Sequence, residues 1–357
     1  MRDITLPTPC PLLRFYVLVV ALAGGLGSCR KTPLVACDAT QPLFSAYSFP
    51  VGVAINAAEL VPTSDYQRLA TLHFNSVTPE NIFKPSYLHP GAGQYAWADA
   101  DQLAAFCRAH NQRLHGHTLI WHQQLPAWMA GFAGSPAQWE ALFRDHIQTI
   151  CRHFRGQVSS WDVVNEAFAA DGTLRSTIWS QHLGGSYLEK AFRYAHEADP
   201  DAQLFYNDYD LEANPVKRRA VLAWLQTMRQ RGVPVQGLGL QMHLSIVSPE
   251  NTQLAQALRE AQQTGLLLHL SEVDVALNPL GRAIVPTPEL LQRQADKLAF
   301  LVRTYRELPL AQQFGITFWG LSDRNTWLRS YYQRDDYPLL FDDNYQPKPA
   351  FCQLAHL

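Results

Sequence analysis

Eight short apolar segments recur along the chain, and segments with helical periodicity separate them. The apolar segments cover residues 52–56, 74–78, 114–121, 161–166, 204–207, 237–243, 266–272 and 315–319. The helical segments include residues 99–110, 137–153, 187–199, 216–231, 252–264 and 288–307. Strands that alternate with helices form parallel sheets joined by crossovers. Eight such units predict an α/β protein with a single closed (β/α)₈ barrel, the TIM barrel.

The structural alternative is an open, doubly wound parallel sheet. Such a sheet would normally carry a Gly-rich phosphate turn after its first strand, and residues 57–59 read Ala-Ala-Glu there instead. The chain has 357 residues, which suits one barrel of roughly 250 residues or more with additional segments. We find no internal repeat and no second domain in the sequence.

The N-terminus has the pattern of an export signal. Arg2 and Arg14 flank a leader that runs into an apolar stretch, residues 15–27, which is too short to cross a bilayer as a mature helix. Residues 26–29 read Leu-Gly-Ser-Cys, which resembles a bacterial lipobox in which Cys29 is lipidated. Ordinary signal-peptide cleavage that happens to precede a cysteine is the alternative. We predict export, either as a membrane-anchored lipoprotein at the cell surface or in the periplasm, or as a secreted protein.

These features divide the chain into three parts. We predict a signal peptide with its lipobox over residues 1–28, a tether over residues 29–45 and the barrel over residues 46–357. After removal of the leader and lipidation of Cys29, the remaining cysteines are Cys37, Cys107, Cys151 and Cys352. Four cysteines allow three pairings, and the sequence does not choose among them. They show no zinc-type spacing, so we expect no structural metal.

Polar and aromatic residues close nearly every predicted strand, at the end where a barrel of this kind carries its active site. They are Glu80, Asn81, His117, Trp121, Asn165, Glu166, Gln241, His243, Glu272, Asp274 and Trp319. Glu166 and Glu272 end the fourth and seventh strands, on opposite sides of the barrel. Glycoside hydrolysis needs such a carboxylate pair, about 5 to 5.5 Å apart for retention and 6.5 to 9.5 Å for inversion. The sequence does not measure that distance, and a salt-bridged structural role is the alternative for either residue.

Six runs of residues, in order, resemble the signatures of the family 10 glycoside hydrolases. They are residues 78–81 (Thr-Pro-Glu-Asn), 116–122 (Gly-His-Thr-Leu-Ile-Trp-His), 161–167 (Trp-Asp-Val-Val-Asn-Glu-Ala), 239–244 (Gly-Leu-Gln-Met-His-Leu), 271–275 (Ser-Glu-Val-Asp-Val) and 318–320 (Phe-Trp-Gly). The resemblance covers about residues 50 to 350 and implies a retaining endo-β-1,4-xylanase on a (β/α)₈ barrel.

The resemblance also implies roles for the catalytic residues. Glu166 would be the acid/base, and Asn165 beside it would hold the 2-hydroxyl of the reacting sugar. Glu272 would be the nucleophile, bonded by His243, which Asp274 would orient. The alternative for the His243 and Asp274 pair is a buried ion pair without a catalytic role.

The remaining implied contacts bind substrate. Glu80, Asn81 and Lys84 would hold the sugar one further from the cleaved bond, where binding energy can orient and distort the reacting ring. The family usually reads Glu-Asn-Glu-Met-Lys-Trp at this point, whereas this chain has Ile82 and Pro85 in place of the second carboxylate and the tryptophan. These departures put the outer wall of that subsite in question.

The other substrate-binding positions implied by the resemblance are mostly aromatic. Trp319 and Trp327 would cover the glycone side, and Tyr209 would stack on the leaving-group side, followed by Asp210 where relatives commonly carry Asn. His117, Trp121 and Gln241 would line the same pocket.

A metal site is an alternative for the histidine-rich third strand. Alternation along a strand puts His115 and His117 on one face, and His122 follows nearby, so a His-x-His clip is geometrically possible. Against it, no Asp or Glu sits beside these histidines in the sequence. We therefore expect neither a metal nor a cofactor.

Charge limits the partners. The chain has 29 basic and 31 acidic residues, a formal net charge of -2, so no strong field attracts nucleic acid or anionic lipid. We expect a monomer that binds xylan or xylo-oligosaccharides and contacts a membrane only through its lipid anchor.

The alternative functions are those of a retaining endoglycanase of β-1,4-glucan or mixed-linkage glucan, and of a non-catalytic glycan-binding lipoprotein. Trp319 is the residue expected to set the room around C5 that separates xylose from glucose.

Overall fold

A computed structural model describes residues 37, 39–282 and 284–357, and these form a closed parallel barrel. Its strands are β1 (Val51–Ile55), β2 (Ser76–Pro79), β3 (Arg113–Ile120), β4 (Ser160–Asn165), β5 (Gln203–Asp208), β6 (Gly237–Leu240), β7 (His243–Ser245), β8 (Leu267–Ala276) and β9 (Gln313–Phe318). Strands β1 to β6 pair in sequence, β6 pairs with β8, β8 with β9, and β9 closes the ring on β1. The predicted (β/α)₈ barrel is confirmed. The predicted signal peptide, lipobox and Cys29 lie outside the described residues.

The sixth barrel position differs from the prediction of one strand over residues 237–243. It is divided into β6 and β7, and both pieces pair with β8. Met242 lies between them with a φ of 63°, in the left-handed region that β-strands do not use. The break turns the chain, so that Gln241 and His243 on either side of Met242 point toward different acidic residues of the site.

Twelve α-helices surround and cap the barrel in the described part of the chain. They are α1 (Asp65–His73), α2 (Pro85–Leu88), α3 (Ala98–Ala109), α4 (Ala127–Ala130), α5 (Pro136–His153), α6 (Ile178–Leu183), α7 (Tyr187–Ala198), α8 (Pro215–Gln230), α9 (Asn251–Gln262), α10 (Pro288–Arg306), α11 (Trp327–Tyr332) and α12 (Pro349–Ala355). The six predicted helical segments match helices α3, α5, α7, α8, α9 and α10 to within two residues at each end.

Local sequence explains where the long helices begin. Helix α5 starts after Ser135, whose side chain accepts from the Gln138 amide while the Gln138 side chain accepts from the Ser135 amide. Pro136 occupies the first turn, where its missing N–H costs nothing. Asn214 and Thr287 cap α8 and α10 by accepting hydrogen bonds from backbone N–H groups of the first turn, without a reciprocal bond, and each is followed by a proline. Caps and prolines of this kind are visible in the sequence, which is why these boundaries are predictable.

The last part of the predicted tether is attached to the barrel. A 3₁₀ helix spans Leu43–Ala46, and Leu43 is buried in the core. A disulfide joins Cys37 to Cys352 of α12, which selects one pairing among those the sequence left open. The other two described cysteines, Cys107 and Cys151, are buried and free. Within the described residues, none of the helices is both long and apolar enough to cross a bilayer.

Candidate active site

Glu272 lies within β8 and is 5% exposed. Its Oε1 accepts a hydrogen bond from Nδ2 of Asn207 at 2.8 Å, and its Oε2 lies 3.3 Å from Nε2 of His243. Burial alone would raise the pKa of this carboxyl, but the hydrogen bonds from His243 and Asn207 and the charge of His117 outweigh it. The net effect is a lowered pKa, so the site stabilises Glu272 as the carboxylate.

His243 is itself held by a second carboxylate. Its Nδ1 lies 2.9 Å from Oδ2 of Asp274, which also accepts a hydrogen bond from the indole of Trp327 at 2.8 Å. Burial would lower the pKa of His243, but Asp274 and Glu272 raise it well above its usual value. The ring of Trp327 covers the imidazole, with ring centroids 4.9 Å apart. The imidazole is therefore fixed as a cation between two carboxylates.

Glu166 directly follows β4 and is 8% exposed. Its φ is 57°, and hydrogen bonds to its backbone N–H and carbonyl groups hold that conformation. The Glu166 N–H donates to the carbonyl of Asn207 at 2.9 Å, and Nε of Arg175 donates to the Glu166 carbonyl at 3.1 Å. On the side chain, Oε1 accepts from Nε2 of Gln241 at 3.1 Å and from Nδ2 of Asn165 at 3.3 Å. These bonds aim the carboxyl group into the same site as Glu272.

An amide network joins the two glutamates. Nδ2 of Asn207 donates both to Glu272 and to Oδ1 of Asn165, the latter at 3.0 Å, while Oδ1 of Asn207 accepts from Ser271 at 2.6 Å. Sequence reasoning missed Asn207 as a site residue, although it ends the predicted fifth strand and that position was the available signal. A Cβ at Gly239 on the neighbouring strand would come within 2.2 Å of the Asn207 Oδ1. A glycine at 239 therefore leaves the space that this network occupies.

The residues expected to hold the next sugar lie together at the ends of β2 and β3. Nζ of Lys84 donates to Oδ1 of Asn81 at 3.1 Å and lies 5.1 Å from the ring centroid of Trp121. Burial lowers the pKa of Lys84, and the carboxylates of Glu272 and Glu80 act in the opposite sense. The pKa of Glu80 is raised by burial, which Lys84 partly offsets. The charge of Lys84 is thus electrostatically coupled to that of Glu272.

The departures from the family pattern at residues 82 and 85 occupy structural positions here. Ile82 is partly buried against the core, and Pro85 begins α2, with its ring buried. The backbone that presents Lys84 is therefore fixed by packing on either side of it.

His117 of β3 contacts a carboxylate that the sequence analysis overlooked. Its Nδ1 lies 2.9 Å from Oδ2 of buried Asp162, and Nε2 of His115 lies 3.1 Å from the same oxygen. Burial would raise the pKa of Asp162, but the two histidines lower it strongly. The histidines proposed as a metal clip are thus turned toward an acidic side chain. Among the described residues, no group of three His, Cys, Asp or Glu side chains is arranged to hold a metal ion.

Tyr209 lies beyond the end of β5 and is held by two cations that the sequence analysis did not identify. Arg175 donates to its hydroxyl at 2.9 Å, and Nζ of Lys217 lies 3.5 Å from the ring centroid. Lys217 also forms a fully buried ion pair with Asp208 at 2.6 Å. Asp210 follows with a φ of 63°, and burial raises the pKa of its carboxyl. Arg175 therefore connects the backbone of Glu166 to the ring of Tyr209.

Comparison with known proteins identifies the family of this chain. The sequence model described as glycosyl hydrolase family 10 matches residues 40–357. The chain belongs to glycosyl hydrolase family 10. The resemblance described from the sequence is confirmed.

Several family 10 relatives match over nearly their full length. The β-1,4-xylanase of Dictyoglomus thermophilum is 37% identical, with 96% of this chain and 98% of that protein aligned. The endo-1,4-β-xylanase of Geobacillus stearothermophilus is 34% identical, with 87% and 96% aligned.

Solved family 10 structures share the fold. The family 10 enzyme of Paenibacillus barcinonensis superposes with a TM-score of 0.85 at 32% identity, covering 88% of this chain and 96% of that one. Xylanase 10B of Thermotoga petrophila, solved with xylobiose, gives 0.83 at 33% identity, covering 90% and 97%. Both superpositions cover nearly the whole barrel at more than 30% identity.

Proposed function

We propose that this chain is an endo-β-1,4-xylanase that hydrolyses internal bonds of xylan with retention of anomeric configuration. The observation that carries the proposal is the shared amide network of Glu166 and Glu272, with only the latter also bonded to an imidazole. Their different surroundings suit them to different tasks, which a retaining glycosidase requires of its two carboxyl groups.

In the first step, Glu272 acts as the nucleophile and attacks the anomeric carbon of the bound sugar. Its lowered pKa keeps it ionised, and Asn207 and His243 hold its two oxygens, which fixes the direction of attack. Glu166 simultaneously delivers its proton to the departing glycosidic oxygen. The bond from the anomeric carbon to that oxygen breaks as the ester bond to Glu272 forms.

In the second step, Glu166, now ionised, takes a proton from water, and the water oxygen attacks the anomeric carbon from the face the leaving group vacated. The ester bond to Glu272 breaks, and the carboxylate is regenerated. Two inversions give net retention. His243, fixed as a cation by Asp274, stabilises the returning negative charge on Glu272.

The remaining groups position the xylan chain. Lys84 and Asn81 bind the sugar on the glycone side, and Tyr209 offers its ring to the sugar on the leaving-group side. Trp319 packs edge-on against His117, with centroids 5.3 Å apart, which fixes its indole beside the reacting ring. An indole fixed there limits the room for a hydroxymethyl group at C5, so xylose is favoured over glucose. Rates on xylohexaose that fail to exceed those on cellohexaose would contradict this specificity.

The test of the proposed function is Glu272→Gln, which keeps the size of the side chain but removes the nucleophilic charge. We expect xylan hydrolysis to fall to background while the thermal unfolding curve stays cooperative. Glu307→Gln, an exposed position at the opposite end of the barrel, is the matched control and should keep full activity. Proton NMR of wild-type digestion should show the β-anomer first. Undiminished hydrolysis by Glu272→Gln would overturn the assignment.

We also propose that the protein is exported and anchored through lipid on Cys29. The disulfide between Cys37 and Cys352 supports export, because such bonds persist in oxidising compartments. Metabolic labelling with a palmitate analogue should tag the wild type and leave Cys29→Ser unlabelled. Labelling of the variant would contradict the anchor.

We propose that the exported enzyme acts as a monomer. Every side chain of the site described above belongs to one chain, so catalysis needs no second copy. Light scattering after size-exclusion chromatography should give the mass of a single chain. A dimer at micromolar concentration would contradict this proposal.

A further inference from the structure

Two exposed tyrosines extend the aromatic wall of the active site outward. Tyr331 and Tyr332 end α11 and are 69% and 49% exposed. Their rings lie 4.9 Å apart, and their centroids are 5.3 and 6.0 Å from that of Trp327. We call Tyr331 and Tyr332 the tyrosine platform. Neither hydroxyl has a hydrogen-bond partner within the part of the chain that the structure describes, so the fold makes no use of their polar ends.

The platform is continuous with the catalytic site through Trp327. The Trp327 indole donates to Asp274 and covers His243, so its ring is part of the site wall. The next aromatic surface along α11 is the platform, and Asp274 is close enough to Tyr332 to influence its pKa. A sugar ring that contacts Trp327 therefore has a neighbouring aromatic surface within one ring's length.

The position of the platform indicates which sugar it can reach. In the proposed function, the main chain of the substrate runs between Lys84, after β2, and Tyr209, after β5. The platform instead follows β9 in the chain and adjoins Trp327, whose indole bonds Asp274 of β8, so it lies beside this path and at neither end of it. A ring resting on the platform must project sideways from the main chain.

The charges around the platform favour a neutral ring. The guanidinium of Arg334 lies 4.5 Å from the centroid of Tyr332, but Nη2 of Arg334 is 3.6 Å from the buried carboxylate of Asp336. This pairing offsets the positive charge next to the platform. The two rings are nearly perpendicular, with an interplanar angle of 83°, so each ring offers its own apolar face, which suits the C–H face of an uncharged sugar.

We propose that Tyr331 and Tyr332 bind a neutral pentose branch of xylan and so determine which decorated chains the enzyme cleaves. The inference rests on the proposed xylanase function and adds a site for a substituent. No bond is made or broken at this site, and it contributes binding energy only.

The experiment compares an arabinose-branched xylo-oligosaccharide with linear xylohexaose. For Tyr331→Ala, Tyr332→Ala and the double variant, kcat/KM is measured on both substrates. We expect the ratio of branched to linear kcat/KM to fall about 3- to 10-fold, the range typical of one aromatic contact. Tyr331→Phe and Tyr332→Phe keep the ring and should keep the ratio. Leu310→Ala removes an equally exposed apolar side chain below the barrel and is the matched control.

The outcomes separate this inference from the function it rests on. Wild-type cleavage of linear xylohexaose tests the xylanase activity by itself. An unchanged ratio of branched to linear kcat/KM in the alanine variants overturns the proposed branch site. This holds if kcat/KM falls equally on both substrates, as a subsite for the main chain would predict, and also if neither value falls. Calorimetric affinities for the two oligosaccharides, measured with each tyrosine variant in the inactive Glu272→Gln background, give the same comparison without turnover.

Discussion

At the scale of single residues, the two glutamates differ through their partners and hardly through their burial. Both are nearly inaccessible, yet Glu272 receives a charged imidazole and an amide, while Glu166 receives two amides. Burial without compensation disfavours a carboxylate, so the bonds to Glu272 are what keep it ionised. This difference predicts how the pH profile responds to mutation.

Replacing His243 by Asn should move the acid limb of the kcat/KM profile to higher pH. His243 lowers the pKa of Glu272 through a hydrogen bond and a charge, whereas burial raises it. A lowered pKa keeps the nucleophile ionised as pH falls, and without His243 it protonates sooner. His356→Asn, an exposed histidine near the C-terminus, is the control. An acid limb that stays in place would contradict this account of the nucleophile.

Asn207→Ala should reduce kcat about 10- to 100-fold, since hydrogen bonds to charged groups contribute about 1.5 to 3 kcal/mol each. The variant loses the donor to Glu272 and the link to Asn165 in one change. Steady-state kinetics on xylohexaose measure the loss, with circular dichroism to verify folding. A kcat within twofold of the wild type would show that the network does not orient the nucleophile.

The sequence identified the residues at strand ends but not all of their partners. Glu166, Glu272, His243 and Asp274 were predicted, because six ordered motifs point to them. The prediction that Glu272 ends its strand was wrong, since β8 continues to Ala276. Asp162 was missed because it is bracketed by apolar residues within β4, and its partners come from another strand, the nearer of them, His117, 45 positions away. Pairings of this kind depend on barrel register, which no local pattern encodes.

At the scale of elements, the broken sixth strand is the feature that local patterns predict least. The run 237–243 looks like one strand, and a methionine is not a residue type associated with positive φ. The fold accepts that conformation because Met242 is fully buried and both flanking pieces stay paired with β8. Helices α5, α8 and α10, in contrast, begin where their N-caps and prolines predict.

Gly239→Ala tests how closely β5 and β6 must approach. The added Cβ would come within 2.2 Å of Oδ1 of Asn207, so that amide must move away from Glu272. We expect kcat to fall at least 10-fold and the melting temperature to drop. Gly185→Ala is the matched control, because its Cβ would meet only ordinary contacts at 3.5 Å. Equal activity in the two variants would contradict the assigned role of Asn207.

At the scale of the whole molecule, the disulfide fastens the two ends of the described chain to each other. Cys37 and Cys352 are separated by 315 residues, so the bond closes almost the entire barrel into one loop. The sequence supplied the four candidate cysteines, and only the fold brings one pair together. The surrounding contacts, including the hydrogen bond from Tyr47 to the Leu354 carbonyl at 2.6 Å, keep the segment on the barrel.

Replacing both Cys37 and Cys352 by Ser should lower the free energy of unfolding by about 2 to 5 kcal/mol, since closure of a long loop restricts the unfolded chain. Denaturant titrations measure the change, and kcat at 25 °C should stay the same. A reducing agent should destabilise the wild type and leave the double variant unaffected. Equal stability of the two proteins would contradict a stabilising role.

The most direct test of the whole account traps the ester on the nucleophile. A 2-deoxy-2-fluoro-β-xylobioside with a good leaving group slows the second step more than the first, so the glycosyl-enzyme accumulates. Mass spectrometry of the digested protein should then show one added fluoroxylobiosyl group, on the peptide containing Glu272. A label on any other residue, or rapid turnover of the reagent with no labelled protein, would contradict the proposed double displacement.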